Sequence, residues 1–130
     1  MDYVSVLRSA LQFAHDGKTR ESLSILDRFL RDADPESDRD GIVAIAGHAA
    51  ITAEQIGDSQ LAESYYQRGL QASPADPLLL LSIWGFRKRL GDVAGARKYF
   101  GECKRASLEH GNHEVFATLK ELEDRDGDLG

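Results

Sequence analysis

The stretch Ile56-Gly57-Asp58-Ser59-Gln60-Leu61-Ala62-Glu63-Ser64-Tyr65-Tyr66 returns 34 residues on as Leu90-Gly91-Asp92-Val93-Ala94-Gly95-Ala96-Arg97-Lys98-Tyr99-Phe100. Both copies open on Gly-Asp and keep an alanine and a pair of aromatic residues at the same offsets. A fixed period of this length outranks every other pattern in a sequence, because each copy is a supersecondary unit whose apolar face needs a neighbour. The frame also fits upstream, where Gly17, Ser22 and Leu26 stand as Gly57, Ala62 and Tyr66 do, at an interval of 40 rather than 34. The six extra residues fall between Asp32 and Gly41, in a run of Asp34, Pro35, Glu36, Ser37, Asp38, Arg39 and Asp40 with the composition of a surface loop.

Apolar spacing of three and four residues predicts seven helices and no strand, an all-α fold. Asp2 is a candidate cap for a first helix bearing Val6, Leu7, Ala10, Leu11, Phe13 and Ala14, ended by Gly17. Thr19 is the candidate cap of a second, with Leu23, Ile25, Leu26, Phe29 and Leu30. A third, from about Ile42 to Gln55, is slim, carrying Ala44, Ala46, Ala49, Ala50 and Ala53. The fourth spans Ser59 to about Ala72 before Pro74, and Asp76-Pro77 pairs a cap with a proline at the first position of the fifth. The sixth covers about Val93 to His110. Asn112 caps a seventh, whose stripe of Val115, Phe116, Leu119 and Leu122 reads as the solvating end of a repeat array.

Composition bounds the class. The chain has 130 residues, 42% of them hydrophobic, a net charge of −6 and one cysteine. One domain is expected, over residues 1–124, with 125–130 an acidic flexible tail. A single cysteine allows no internal disulfide and no cysteine cage for zinc, and no apolar run has the ~20 residues that cross a bilayer. A cytoplasmic protein without membrane contact is the expectation. Arginine outnumbers lysine 11 to 5 and asparagine occurs once, a usage that points to a GC-rich bacterial genome.

Ala62, Tyr66 and Pro74, with Ala96 and Phe100 in the next copy, resemble the second half of the tetratricopeptide repeat, a 34-residue helix-turn-helix unit. The resemblance covers about residues 3 to 110, with repeats at about 3–36, 43–76 and 77–110 and a capping helix at 112–124. Leu108 replaces the final proline of the third copy, and the first has Ser22, Leu26 and a Pro35 one residue late. Trp84 stands where the family keeps a small residue and Arg87 where it places a large apolar one, leaving the register of that helix open by one residue. The resemblance implies a right-handed solenoid whose concave face is lined by the first helix of each repeat. Carried over by position, that face holds Val4, Leu7, Leu11, Ala14 and His15; Ala44, Gly47, Ile51, Glu54 and Gln55; and Leu78, Leu81, Gly85, Lys88 and Arg89. Family members that clamp the carboxylate tails of chaperones use basic and amide side chains where this chain has Leu7, Leu11, His48, Leu78 and Ser82, so that partner is not expected. Gly47 and Gly85 admit two readings: a ligand's backbone coming close, or room for a neighbouring helix or for Trp84.

Catalytic signatures are missing: there is no phosphate loop, no Gly-x-Ser-x-Gly elbow and no His-Glu-x-x-His pair. His110 and His113 flank a helix junction, where a histidine complements the dipole more simply than it binds metal. Asp124, Asp126 and Asp128 alternate like a calcium loop without its closing glutamate, and Cys103 occupies a small buried repeat position. No catalytic residue, metal or cofactor is therefore predicted. Between Arg87 and Arg105 seven basic residues face two acidic ones, a local +5 that leaves −11 on the remainder. Nucleic acid is not the expected partner of a chain with that balance. The sequence predicts a non-enzymatic adaptor that takes an apolar or amphipathic protein segment on its concave face, with a homodimer through that face or through Trp84 as the alternative.

Overall fold

The computed structural model describes residues 2–126, and its described residues form seven α-helices with no strand among them. They are α1 (Tyr3–His15), α2 (Thr19–Asp32), α3 (Arg39–Gln55), α4 (Ser59–Ala72), α5 (Pro77–Arg89), α6 (Val93–Glu109) and α7 (His113–Asp126). The chain divides into two compact units, Met1–Pro74 and Ala75–Gly130. In the first, α1 packs on α2 and α3 on α4, and the two hairpins meet through α2 against α3 and α1 against α3. In the second, α5 pairs with α6, and α7 lies mainly on α6. No helix is long and apolar enough to cross a membrane among the described residues.

Four of the six helix connections share one construction. Gly17, Gly57, Gly91 and Gly111 have φ of 78°, 81°, 79° and 65°, the left-handed region that only glycine enters without strain. Each sits just past a helix end, and two backbone bonds close the turn around it. At Gly57 these are Gly57 N–H to Glu54 O (3.0 Å) and Asp58 N–H to Ala53 O (3.0 Å). The pair recurs as Gly17 to Ala14 and Lys18 to Phe13, as Gly91 to Lys88 and Asp92 to Arg87, and as Gly111 to Leu108 and Asn112 to Ser107. Helix carbonyls that would otherwise face nothing are satisfied in this way. The residue after the glycine then starts the next helix. The side chains of Asp58, Asp92 and Asn112 accept from the N–H of Leu61 (3.0 Å), Gly95 (2.9 Å) and Val115 (3.1 Å).

Burial repeats with the sequence period. Eight pairs spaced by 34 are buried at both members: 45/79, 46/80, 49/83, 52/86, 62/96, 65/99, 66/100 and 69/103. The helix α5 therefore keeps the register of α3 without a slip. The earlier hairpin matches at its interval of 40, with Val6, Ala10, Ser22 and Leu26 buried as Ala46, Ala50, Ala62 and Tyr66 are. The small member of each hairpin's second helix lets the first approach closely: the Ser22 hydroxyl donates to Ala10 O at 2.8 Å. Beside it the large member, Leu26, Tyr66 or Phe100, is at most 1% exposed, each such burial contributing about 2–3 kcal/mol.

Trp84 and Arg87 fit this frame by replacing its usual packing. Trp84 is half-buried and meets Phe100 at a ring-centroid distance of 5.7 Å. The Arg87 guanidinium lies 5.6 Å from the Phe86 ring and 5.7 Å from Tyr99, with an ion pair to Asp92 at 3.6 Å. Its flat cation covers aromatic faces as an apolar side chain would.

Three boundaries differ from the sequence reading. The helix α3 begins at Arg39 rather than Ile42 and takes in Gly41, which is buried where a Cβ would lie 2.9 Å from Phe29 Cζ and 3.1 Å from Tyr3 Cβ. The glycine that reads as loop is needed for close helix contact, and Asp40 beside it suits the positive end of the helix. Thr19 is the first residue of α2, and Lys18 holds the cap position without a side-chain bond. The helix α7 continues to Asp126, past the expected end of the cap, so that residues 127–130 of the expected tail lie outside the described residues. The connection between α2 and α3 is a tight turn in which the Asp34 carboxylate accepts from Glu36 N–H (2.9 Å) and Ser37 N–H (3.2 Å), and those bonds hold it below the usual carboxylate range.

Two glycine substitutions separate turn strain from helix propensity. Nothing lies within 4 Å of a Cβ built on Gly57, so Gly57→Ala costs only the left-handed backbone, about 1 kcal/mol. Gly101 is inside α6 with its nearest neighbour, Arg105 Nη1, at 3.9 Å, so Gly101→Ala is expected to stabilise by about 0.5–1 kcal/mol. Urea denaturation of both variants beside the parent checks the opposite signs.

Candidate functional site

In the first unit the residues assigned to the concave face lie on α1 and α3, which pack side by side. Val4, Leu11 and Ile51 are 50%, 58% and 41% exposed, Leu7, Ala44 and Gly47 are half-buried, and Ala14, His15 and Gln55 are exposed. Val4, Leu7 and Leu11 recur at three and four residues, so one aliphatic stripe of α1 faces solvent while Val6 and Ala10 face the core. Glu54 differs from its neighbours. Its carboxylate accepts from the Tyr66 hydroxyl at 2.8 Å and ties α3 to α4.

In the second unit the assigned residues all lie on α5. Leu78 is 61% exposed, Leu81 and Gly85 are half-buried, and Lys88 and Arg89 are exposed at the helix end. The stripe runs from apolar to cationic, and basic side chains at a helix C-terminus also complement its dipole. A Cβ on Gly85 would meet Arg89 Nη1 first, at 3.1 Å. The space nearest this glycine is thus occupied by the arginine one turn on. The Lys88 ammonium lies 5.2 Å from the centre of the Trp84 ring.

The remaining candidates resolve into structural roles. Cys103 is fully buried, and its thiol donates to Pro77 O at 3.2 Å. Desolvation, with a smaller contribution from the Asp76 charge, pushes the thiol pKa from its ordinary 9.0 up to about 11. His110 ends α6 and His113 begins α7, both exposed. Among the described residues, no three His, Cys, Asp or Glu side chains converge to hold a metal. Tyr65 reaches 38 residues back to donate to Asp27 at 2.8 Å, and Asp27 also pairs with Arg31 at 2.7 Å. Burial first, then the Asp27 hydrogen bond, raises the Tyr65 phenol far above its ordinary value.

The sequence gives no sign of a concavity beside the α2–α3 connection. A cavity of about 310 Å³ opens there, floored by Val6, Ile25, Phe29 and Ala33 and edged by Arg28, Asp32 and Asp38. An adjoining hollow continues along Asp2, Tyr3, Glu36, Ser37, Arg39, Asp40 and Gly41. Its floor residues lie on two helices and the edge of a turn, so no local pattern announces them. Only the acidic run between Asp32 and Asp40 was visible.

In comparison with known proteins, no family model matches the sequence and no curated protein matches it.

The state of Cys103 is directly measurable. At pH 8 the native thiol carries about 100-fold less thiolate than a thiol of pKa 9.0, so alkylation by iodoacetamide is expected to be at least that much slower than in denaturant. The folded thiol holds its proton more tightly than the unfolded one. The stability linked to it is therefore complete below pH 9 and is lost as pH rises toward 11. A native labelling rate equal to the denatured rate contradicts this assignment.

Proposed function

We propose that the chain is a divergent helical-repeat module of the tetratricopeptide type, non-enzymatic, that binds an apolar or amphipathic protein segment on the solvent-facing stripes of its first helices. The observation that carries this reading is the distribution of aliphatic surface. Val4, Leu11, Ile51 and Leu78, all on first helices, are at least 41% exposed, and on second helices only Val93 and Leu108, near the two ends of α6, stand out in the same way among the described residues. Large aliphatic side chains held out from rigid helices, rather than scattered over loops, are what an amphipathic partner covers. Lys88 and Arg89 at the end of the α5 stripe favour a segment with acidic residues beside its apolar ones. The spacing of Ala62, Tyr66 and Pro74 supports the family reading, together with burial that repeats at the same interval. Cytoplasmic residence and a bacterial source belong to the same proposal and rest on composition.

The test compares the parent with a Leu11→Arg, Leu78→Glu double variant, confirmed folded by circular dichroism, in pull-downs from a lysate of the source organism. At least one protein is expected to be recovered by the parent and to fall about tenfold or more with the variant, since each leucine contributes about 1.5–3 kcal/mol when covered. Equal recovery of every bound protein by both forms refutes the reading.

A further inference from the structure

One lane of the second helices turns to the core in two hairpins and stays open in the first. At the repeat intervals of 40 and then 34 residues, Ile25 and Phe29 of α2 stand where α4 has Tyr65 and Gly69 and α6 has Tyr99 and Cys103. The latter four are buried, whereas Ile25 and Phe29 are half-buried. Over them lies the cavity of about 310 Å³ beside the α2–α3 connection, its apolar floor completed by Val6 of α1 and by Ala33 just past the end of α2. The cavity is thus a local departure from the packing of the other copies, and every residue that lines it belongs to the first compact unit.

Volume and charge together specify what fits. A cavity of about 150 Å³ holds a benzene-sized ligand, so about 310 Å³ has room for a ring and a short chain. Asp32 and Asp38 edge it beside Arg28, and the adjoining hollow adds Asp2, Glu36 and Asp40 beside Arg39, five carboxylates against two guanidinium groups. Asp2 is engaged by Ser5, through its N–H at 2.9 Å and its hydroxyl at 3.0 Å, and Asp38 by Asp34 N–H at 2.8 Å. The side chains of Asp32, Glu36 and Asp40 make no hydrogen bond or ion pair among the described residues, and neither do those of Arg28 and Arg39. No direct pairing therefore cancels the acidic excess.

We propose that this cavity binds a free amphipathic amine, whose aromatic or branched aliphatic body covers Val6, Ile25 and Phe29 while its ammonium group lies against Asp32 and Asp38. A cation without an apolar body gains nothing from the floor, and an anion meets the acidic rim, so recognition needs both halves of the ligand. Water reaches the rim and screens its charge. A ligand of about ten non-hydrogen atoms is then held with a dissociation constant on the order of 0.1 to 1 mM. This inference concerns α2 and its connection to α3, and it is independent of the stripes on α1, α3 and α5.

Titration of the isotope-labelled full chain with phenylethylamine at neutral pH, followed through its amide NMR shifts, tests it. Uncharged phenylethanol and anionic phenylpropanoate serve as probes of similar shape. The amine is expected to move amides between Ile25 and Asp38 saturably, and the other two probes to bind at least tenfold more weakly at ~0.05 M salt. Asp32→Asn, an exposed change, is expected to weaken the amine about threefold, and Asp32→Asn with Asp38→Asn at least tenfold, with phenylethanol unaffected. Ala33→Leu fills the floor and touches no charge; it is expected to abolish the response to amine and alcohol alike while circular dichroism stays that of the parent. The absence of a saturable shift at ~10 mM amine overturns the proposal. So does equal affinity for the alcohol, which removes the rim from recognition, and so does full-strength binding by Ala33→Leu, which places the amine on another face. Shifts produced by the tripeptide amide Phe-Gly-Gly but not by phenylethylamine also overturn it, and reassign the cavity to a protein N-terminus.

Discussion

The pairing of helices within each hairpin, and of α6 with α7, depends on a backbone that reverses direction through glycine. At Gly17, Gly57, Gly91 and Gly111 the left-handed φ lets two N–H groups turn back on helix carbonyls, and a residue with a side chain would strain at each place. The reversal lays the next helix back against the last across three residues. That brevity sets the offset at which Ser22 meets Ala10 and at which Trp84 meets Phe100, and so selects which faces become core. The bonded turn also doubles as a starting point, since Asp58, Asp92 and Asn112 close one helix and cap the next. Where Lys18 stands instead, the cap bond is missing while the reversal persists, so the glycine is the stronger requirement.

From this constraint follows an unequal division of labour between helices. Second helices present alternating small and large residues inward, and their polar atoms are spent on ties such as Tyr65 to Asp27 and Lys104 to Glu123 (2.9 Å). First helices are buried on one face only, and the aliphatic residues on their other faces are left to water. Exposed leucine at this level costs little stability, because a folded surface always retains apolar area. What matters is that Val4, Leu7 and Leu11 share a stripe on a rigid helix, so a partner meets them without paying to order them.

Charge is arranged on top of that plan rather than as part of it. Arg87 is the one cation of the basic stretch built into the core, over Phe86 and Tyr99, whereas Lys88, Arg89, Arg97 and Lys98 stand out around a single hairpin turn. Acidic side chains concentrate at the α2–α3 connection instead, where Asp34 and Asp38 turn their carboxylates onto backbone N–H groups and Glu36 and Asp40 edge the hollow. The two signs thus fall in different units of the chain, and an overall −6 opposes indiscriminate association.

The seven helices, their order and the repeated glycines Gly17, Gly57 and Gly91 were legible in the sequence by itself, because period, capping residue and glycine act over a few residues and need no distant partner, whereas the register of α5 was settled only by its buried face. Tertiary structure decided the rest. Gly41 reads as loop until Tyr3 and Phe29 are seen closing over it, and Arg87, standing where the repeat resemblance implies a large apolar residue, makes sense only once two rings flank it. Of the stripe residues, Glu54 was assigned to a binding face and proves to be bonded to Tyr66, twelve positions away on another helix. The cavity over Val6, Ile25 and Phe29 left no trace in the pattern, since an empty volume is defined by atoms from separate elements that fail to meet. Local rules choose the helices and their faces; which side chains are free at the end depends on long-range packing, which no short stretch of sequence encodes.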